Sequence, residues 1–403
     1  MAAPDGAVRE VPPAAPWRPD REEPRPPVAP PRPRRRLAIG ALLVVVALVS
    51  GLVGGLVGAV ATKELEASGP TPSTISASDQ RATAQPAAPS PTPSADRVQG
   101  IAAAVLPAVV QVEASSFEGK STGSGVIVSK DGYVLTNAHV VEGVSSASVM
   151  LSTAEPLKAR VIGRDPVNDL AVLRVRRPGL PVATFGRSAD LRVGEPAIAV
   201  GSPFGFQGTV TAGIVSALHR VVRVPDSEGV GIRRELVDAI QTDTAINPGN
   251  SGGALANGAG QVVGIVTAIA TNGQAESNAG VGFAIPIDEA REVVAALIAH
   301  KKVRVPFVGM QAEELTADDV ARYRLQGRSG ALVGSVRSRG PAASAGLRRG
   351  DLVVRFADQP VGTTDQLKVA VRLATIGRSV PIVVVRRGRE LALRITPTSE
   401  PRS

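Results

Sequence analysis

Asn247-Pro248-Gly249-Asn250-Ser251-Gly252-Gly253 sets one hydroxyl among three glycines, next to a proline that has no N–H to give. Glycine lets a backbone turn tightly and approach another chain closely, so the stretch reads as a sharp loop that presents Ser251. Short Val/Ile-rich runs lie on both sides of it, at residues 109–112, 125–128, 133–136, 171–175, 197–200, 209–216, 262–267 and 282–285, with Gly-rich breaks between them. Many short strands with turn signals predict an all-β barrel or sandwich architecture. The series closes on a helix, where Ala290, Val293, Val294, Leu297 and Ile298 share one face and Asp288 is the expected N-cap.

After Val305 the pattern restarts. Residues 330–336, 351–356 and 380–385 read as strands. A helix is expected after Thr364, with Leu367, Ala370, Val371 and Ala374 on one face and Gly377 as its stop. A stretch of about 95 residues is long enough for an independent small domain.

Upstream, residues 1–36 hold 11 of the 33 prolines and almost no apolar pattern, which predicts a disordered tail. Residues 37–60 follow without a charge, long enough to span a bilayer core as a helix. Arginines on their N-terminal flank place that flank in the cytoplasm and the rest of the chain outside it, at the plasma (inner) membrane. Ala59-Val60-Ala61 offers a signal-peptidase site, but the apolar run exceeds the 7–15 residues usual for a signal peptide, so an uncleaved single-pass anchor is expected. Residues 61–96 have the Ala/Ser/Thr/Pro composition of a linker. The expected organisation is tail 1–36, transmembrane helix 37–60, linker 61–96, a large β domain 97–303 and a small C-terminal domain 304–398.

Composition excludes several functions. With no Cys, the chain has no disulfides, thiolate zinc site or cysteine nucleophile, and three His leave little for a metal centre; no metal and no cofactor are expected. The net charge of +9 suggests nucleic acid only until it is located. Residues 37–303 carry 20 basic and 22 acidic side chains, whereas residues 304–403 carry 17 and 9. Ten aromatics in the whole chain are too few for base stacking, so nucleic-acid binding is not expected.

Two further motifs complete the chemistry: Thr136-Asn137-Ala138-His139-Val140-Val141, and Asn168-Asp169-Leu170-Ala171-Val172-Leu173. A serine hydroxyl is a poor nucleophile at neutral pH and needs a base to take its proton during attack. Histidine suits that task, provided a buried acceptor holds its other N–H, here Asp169. The N–H groups of Gly249 and Ser251 would face the developing oxyanion, each such donor being worth about 10²–10³ in rate. His219 and His300 have no nucleophile motif to partner them.

Taken together and in the order His, Asp, Ser, these residues match the chymotrypsin-like arrangement. With Gly123-Ser124-Gly125-Val126-Ile127, Gly201-Ser202-Pro203-Phe204-Gly205, Gln241-Thr242-Asp243-Thr244-Ala245-Ile246-Asn247 and Gly282-Phe283-Ala284-Ile285-Pro286, residues 97–396 resemble the HtrA/Deg family of trypsin-like serine proteases with one C-terminal PDZ domain. The resemblance implies an all-β double barrel of the chymotrypsin type plus an α+β PDZ domain, with His139 and Asp169 from the first barrel and Ser251 from the second. It further implies a specificity pocket lined by Ile246, Ile269 and Ala270, an apolar lining that suits Val, Ala, Ile or Leu at the cleavage position. Arg220 corresponds to an arginine that senses the PDZ state through a regulatory loop at about residues 221–234. Phe307-Val308-Gly309-Met310 matches the loop that captures a peptide C-terminus while the peptide adds a strand. Asn250 departs from digestive relatives, which carry Asp before the nucleophile, so activation by loop rearrangement is expected rather than zymogen cleavage.

The function implied is a membrane-tethered endopeptidase of unfolded or misfolded extracytoplasmic proteins, controlled by peptides at its PDZ domain and assembled as a homotrimer. A peptide-binding chaperone or scaffold with little proteolytic activity is the alternative.

Overall fold

The computed structural model describes residues 95–116, 119–153, 155–202, 208–225, 232–247, 249–269 and 280–399. The expected tail, membrane helix and most of the linker lie outside the described residues. Among the described residues no helix is long and apolar enough to cross a membrane.

Helix α1 (Ala95–Val105) leads into β1 (Val109–Ser116), β2 (Gly119–Ile127), β3 (Tyr133–Thr136), β4 (Ser146–Met150), β5 (Pro156–Asp165) and β6 (Leu170–Val175), which close in the order β1-β2-β3-β6-β5-β4. A second closed barrel, β10-β11-β12-β9-β8-β7, is built from β7 (Pro196–Gly201), β8 (Thr209–Pro225), β9 (Ile232–Thr242), β10 (Ala254–Asn257), β11 (Val262–Ile269) and β12 (Gly282–Pro286). Full closure leaves neither sheet an unpaired edge. Val110, Val112, Ile127, Val134 and Leu173 fill the first barrel, and Ala199, Val215, Ile240, Leu255 and Val266 fill the second. β-Branched residues dominate because they pack well on a pleated surface. Between the barrels, Leu135, Leu170, Ile198 and Ile265 join one cluster with α2 (Ile287–Ile298).

The helix predicted over this last stretch is present, but Asp288 is not its N-cap. Pro286 holds that position, and the Asp288 carboxylate instead accepts from Ser188 Oγ at 2.9 Å and the Ala189 N–H at 3.0 Å. A tertiary contact has claimed the side chain that local pattern assigned to the cap.

The C-terminal sheet runs β14-β15-β16-β18-β19 through Met310–Glu313, Ala331–Val336, Leu352–Phe356, Val380–Arg386 and Arg389–Ile395, with a short β17 (Gln359–Pro360) on β16 and a separate pair β13 (Pro306–Phe307) and β20 (Thr398–Ser399). Three helices accompany it. α3 (Ala317–Tyr323) starts at a capping box formed by Thr316 and Asp319, α4 (Pro341–Ser344) is one turn, and α5 (Thr364–Arg372) is capped by the Thr363 hydroxyl. Leu367 and Ala370 bury the inner face of α5 against Phe356, Ile382 and Val384. α5 ends at Arg372, so Gly377, although left-handed at φ 84°, is a later turn and not the helix stop.

α5 also meets the second barrel, α2 and the turn before β6. Lys368 Nζ donates to both Glu235 oxygens at 2.8 and 2.7 Å, Arg223 reaches Asp365 at 2.5 Å, and Arg372 pairs with Glu289 and Asn168. Burial pushes the Glu289 carboxyl up, and the Arg372 guanidinium beside it only partly offsets that.

Candidate functional site at the junction of the barrels

His139 stands on a single 3₁₀ turn directly after β3, and Asp169 immediately precedes β6. Their strands are hydrogen-bonded neighbours, Thr136 opposite Ala171, so the barrel itself sets the spacing of the two residues. Asp169 adopts a left-handed φ of 53°, a conformation Asp tolerates better than most residues. Its carbonyl accepts from the Ala138 N–H at 3.1 Å and from Asn137 Nδ2 at 2.9 Å, which pins the two loops together.

The Asp169 carboxylate is buried, and its oxygens lie 3.0 and 2.9 Å from His139 Nδ1. The hydroxyl of Thr267, on β11 of the other barrel, donates to Oδ2 at 2.6 Å. Burial alone would push this carboxyl up. The hydrogen bond and charge of His139, then the charge of Arg234 and the Thr267 hydroxyl, outweigh burial and hold it below the usual carboxylate range.

Ser251 sits on the loop before β10. Its carbonyl accepts from the Ser124 N–H at 2.7 Å, while Ser124 Oγ donates to the Gly249 carbonyl at 2.7 Å and accepts from the Ser202 N–H at 2.8 Å. Three of the quoted sequence stretches are thereby fixed on one another. Among the described residues neither the Gly249 nor the Ser251 N–H is taken by another protein group. Ser251 Oγ donates to the Thr267 carbonyl at 3.1 Å. Asn250 is buried with no partner for its Oδ1, so a carboxylate in its place would be an uncompensated buried charge.

Gly252 shows why the loop needs glycine. At φ +86° a Cβ on it would come 2.1 Å from the Ser124 carbonyl oxygen and 2.5 Å from Thr136 Oγ1. A backbone oxygen held in a ladder cannot move aside. Gly252→Val is expected to cost about 2–5 kcal/mol from left-handed strain and overpacking together, a large share of a typical domain's stability. Urea unfolding would measure it; an unchanged midpoint would contradict the packing described.

Not every predicted site residue gathers here. Ile246 is fully buried in the second barrel's core, its side chain against Gly282. The Ile269 side chain, Ala270 and Pro248 lie outside the described residues, as does part of the loop at about 221–234. The Arg220 guanidinium meets Gln241 Oε1 at 3.0 Å within its own hairpin; from the same hairpin it is Arg223 and Glu235 that reach α5. His219 pairs with Asp238 at 2.6 Å, which raises its pKa, and among the described residues no hydroxyl is hydrogen-bonded to its ring.

Phe307 and Val308 precede Gly309, left-handed at φ 73°, and Met310 opens β14. The Gly309 carbonyl accepts from the Arg337 N–H at 2.8 Å, and the Val308 carbonyl accepts from the Ala342 N–H at 2.8 Å. β14 is an edge strand, and between it and α5 runs a groove of about 480 Å³, floored by Phe307, Met310, Leu367 and Val371.

Sequence reasoning did not single out Thr267 or Arg234, which both touch Asp169. Thr267 left a faint signal as a polar residue closing an apolar strand, whereas Arg234 left none.

Residues 123–265 match the trypsin-like peptidase domain, and residues 306–396 match the PDZ domain. The serine protease PepD of Mycobacterium tuberculosis is 38% identical over 367 residues, covering 87% of this chain and 75% of that protein. The chain belongs to the HtrA/Deg family. A probable periplasmic serine endoprotease, DegP-like, of Hahella chejuensis is 44% identical over 278 residues, covering 69% of this chain. The HtrA/Deg chain described here spans 57% of that relative's length. Among solved structures, the HtrA-type protease AlgW with tripeptide has TM-score 0.61 at 36% identity, covering 76% of this chain and 98% of its own. AlgW with decapeptide has TM-score 0.59 at 33% identity, covering 76% and 99%.

Proposed function

We propose that the protein is a serine endopeptidase of unfolded or misfolded extracytoplasmic proteins, with Ser251 as nucleophile, His139 as base and Asp169 as the acceptor that orients it. The observation that carries this reading is the junction itself: His139 from one barrel and Thr267 from the other both meet Asp169, at 2.9 and 2.6 Å, beside the loop that bears Ser251. In the reaction, Ser251 Oγ attacks the scissile carbonyl and its proton passes to His139 Nε2. The N–H groups of Gly249 and Ser251 receive the oxyanion, His139 protonates the leaving amine, and water then releases the acyl group.

The PDZ groove is read as a site for peptide C-termini, whose carboxylate would meet the loop Phe307–Met310 while the peptide extends the edge strand β14. Residues 37–60 are read as a single membrane anchor with the catalytic domain 97–303 and PDZ domain 304–398 outside the cytoplasm, in keeping with the one relative above that is described as periplasmic. Homotrimeric assembly is part of the same reading.

Mass-spectrometric mapping of cuts in a denatured protein library tests the reading. Cuts after Val, Ala, Ile or Leu are expected from an apolar pocket at Ile269 and Ala270, with Ile246 packed in the barrel core behind it. Cuts after Lys, Arg or Asp would overturn the pocket, and no cuts with or without added peptides would favour a holding role.

A further inference from the structure

Arg234, near the start of β9, has a side chain only 13% exposed, and the hydrolytic reading gives it no task. Its guanidinium pairs with Asp169 Oδ2, and Nη1 lies 3.2 Å from His139 Nδ1. An arginine has only N–H groups to offer and keeps its charge in proteins. Towards Nδ1 it can therefore only donate, and Nδ1 can accept only when bare. His139 then carries its proton on Nε2, the nitrogen that must be bare to take the proton of Ser251. If Nδ1 instead keeps its proton for Asp169, two donors face each other and the pair is weakened. The arginine also neutralises the carboxylate that would stabilise an imidazolium. In the same structure Ser251 Oγ gives its hydrogen bond to the Thr267 carbonyl, and among the described residues none joins it to His139.

The next residue shows what holds Arg234 in place. Glu235 accepts from Lys368 Nζ at 2.7 Å and from Arg223 Nε at 3.1 Å. Lys368 belongs to α5, and together with Glu235 it lines the groove beside the edge strand. One ammonium therefore tethers the neighbour of Arg234 and faces the space a bound peptide would fill. The charged side chains lining that groove are Glu235, Glu313, Lys368 and Arg372. Arg372 is already paired with Glu289, so the partly exposed Lys368 is the cation for which an acidic occupant could compete with Glu235.

We propose that Arg234 is an inhibitory latch on the His139–Asp169 pair, tethered through Glu235 to Lys368, and that a C-terminal peptide bearing an acidic side chain opens it by taking Lys368 from Glu235. The proposal rests on Ser251 being the nucleophile. The peptide shifts the balance only through its better binding to the released state, in which Lys368 is free.

The test uses the full chain and follows fluorophosphonate labelling and casein hydrolysis for the wild type, Arg234→Gln, Lys368→Gln and Ser251→Ala. Without peptide, Arg234→Gln is expected to label and hydrolyse on the order of 10-fold faster than wild type or more, since a freed general base is worth about 10²–10⁴. Lys368→Gln should move the same way. A decapeptide with Glu upstream of a C-terminal Val should activate the wild type, its Gln twin should not, and neither should further activate Arg234→Gln. Arg234→Gln no faster than wild type at an unchanged thermal midpoint would overturn the latch. If that variant fails to fold, the more exposed Lys368→Gln decides, and no gain there overturns the tether. Equal activation by the Gln peptide would overturn the acidic occupant. Labelling that survives Ser251→Ala would overturn the serine assignment itself, and the latch with it.

Discussion

Ser251→Ala is expected to lower kcat on casein by about 10⁶-fold while the protein stays folded. The size of the loss follows from the division of labour at the site. On the proposed mechanism the Ser251 hydroxyl oxygen forms the acyl bond, and an alanine in its place offers no nucleophile. The proposed oxyanion donors are backbone N–H groups, which the substitution leaves in place, so the expected product is a binding site without a nucleophile. The structural cost is small: Ser251 Oγ makes one hydrogen bond, to the Thr267 carbonyl, worth about 1 kcal/mol. Casein hydrolysis with equal protein and matched thermal midpoints is the measurement. Equal cleavage by both proteins would remove Ser251 from the mechanism.

Asp169→Asn is expected to lower kcat by about 10⁴-fold with KM little changed. The carboxylate accepts from the Thr267 hydroxyl, and in the competent tautomer of the proposed mechanism it also accepts from His139 Nδ1. An asparagine has one oxygen, so either its NH₂ faces Nδ1 and imposes the wrong tautomer on His139, or it faces Thr267 and meets another donor. In neither arrangement is the imidazolium stabilised by a neighbouring charge. Labelling of Ser251 by a fluorophosphonate should fall with kcat, because the defect lies in deprotonating the serine and not in holding substrate. A loss confined to KM would place Asp169 outside the chemistry.

Much of this site was legible in the sequence because each of its residues leaves a backbone trace. Gly252 announces a close approach, and the structure has the Ser124 carbonyl where a Cβ would stand. His139 and Asp169 flank apolar runs that are paired strands, Leu135 opposite Val172. Within the barrels, the strands that went unpredicted have a weak apolar signal, and β4 has Ser146 and Ser148 among its five residues. β5 carries Lys158, Arg160 and Arg164, β9 carries Arg234, Glu235 and Asp238, and β10 is only Ala254–Asn257. Each is a strand because a closed barrel supplies partners on both sides, a tertiary reason that no local window contains. Arg234 was hidden for a related cause. Its reach to Asp169 depends on how β8 and β9 pair, and that register shifts between Ala217 and Arg220, between Arg220 and Val222 and again between Val224 and Pro225.

The Thr267 bridge to Asp169 also bears on how the chain is made. Synthesis delivers His139 and Asp169 first, then the loop with Ser251, and only afterwards the rest of β11 that carries Thr267. On the proposed mechanism a half-made chain has a base without a nucleophile, and later a nucleophile without the strand that joins it to the base. On that reading the site is complete only when the second barrel closes and Thr267 reaches Asp169.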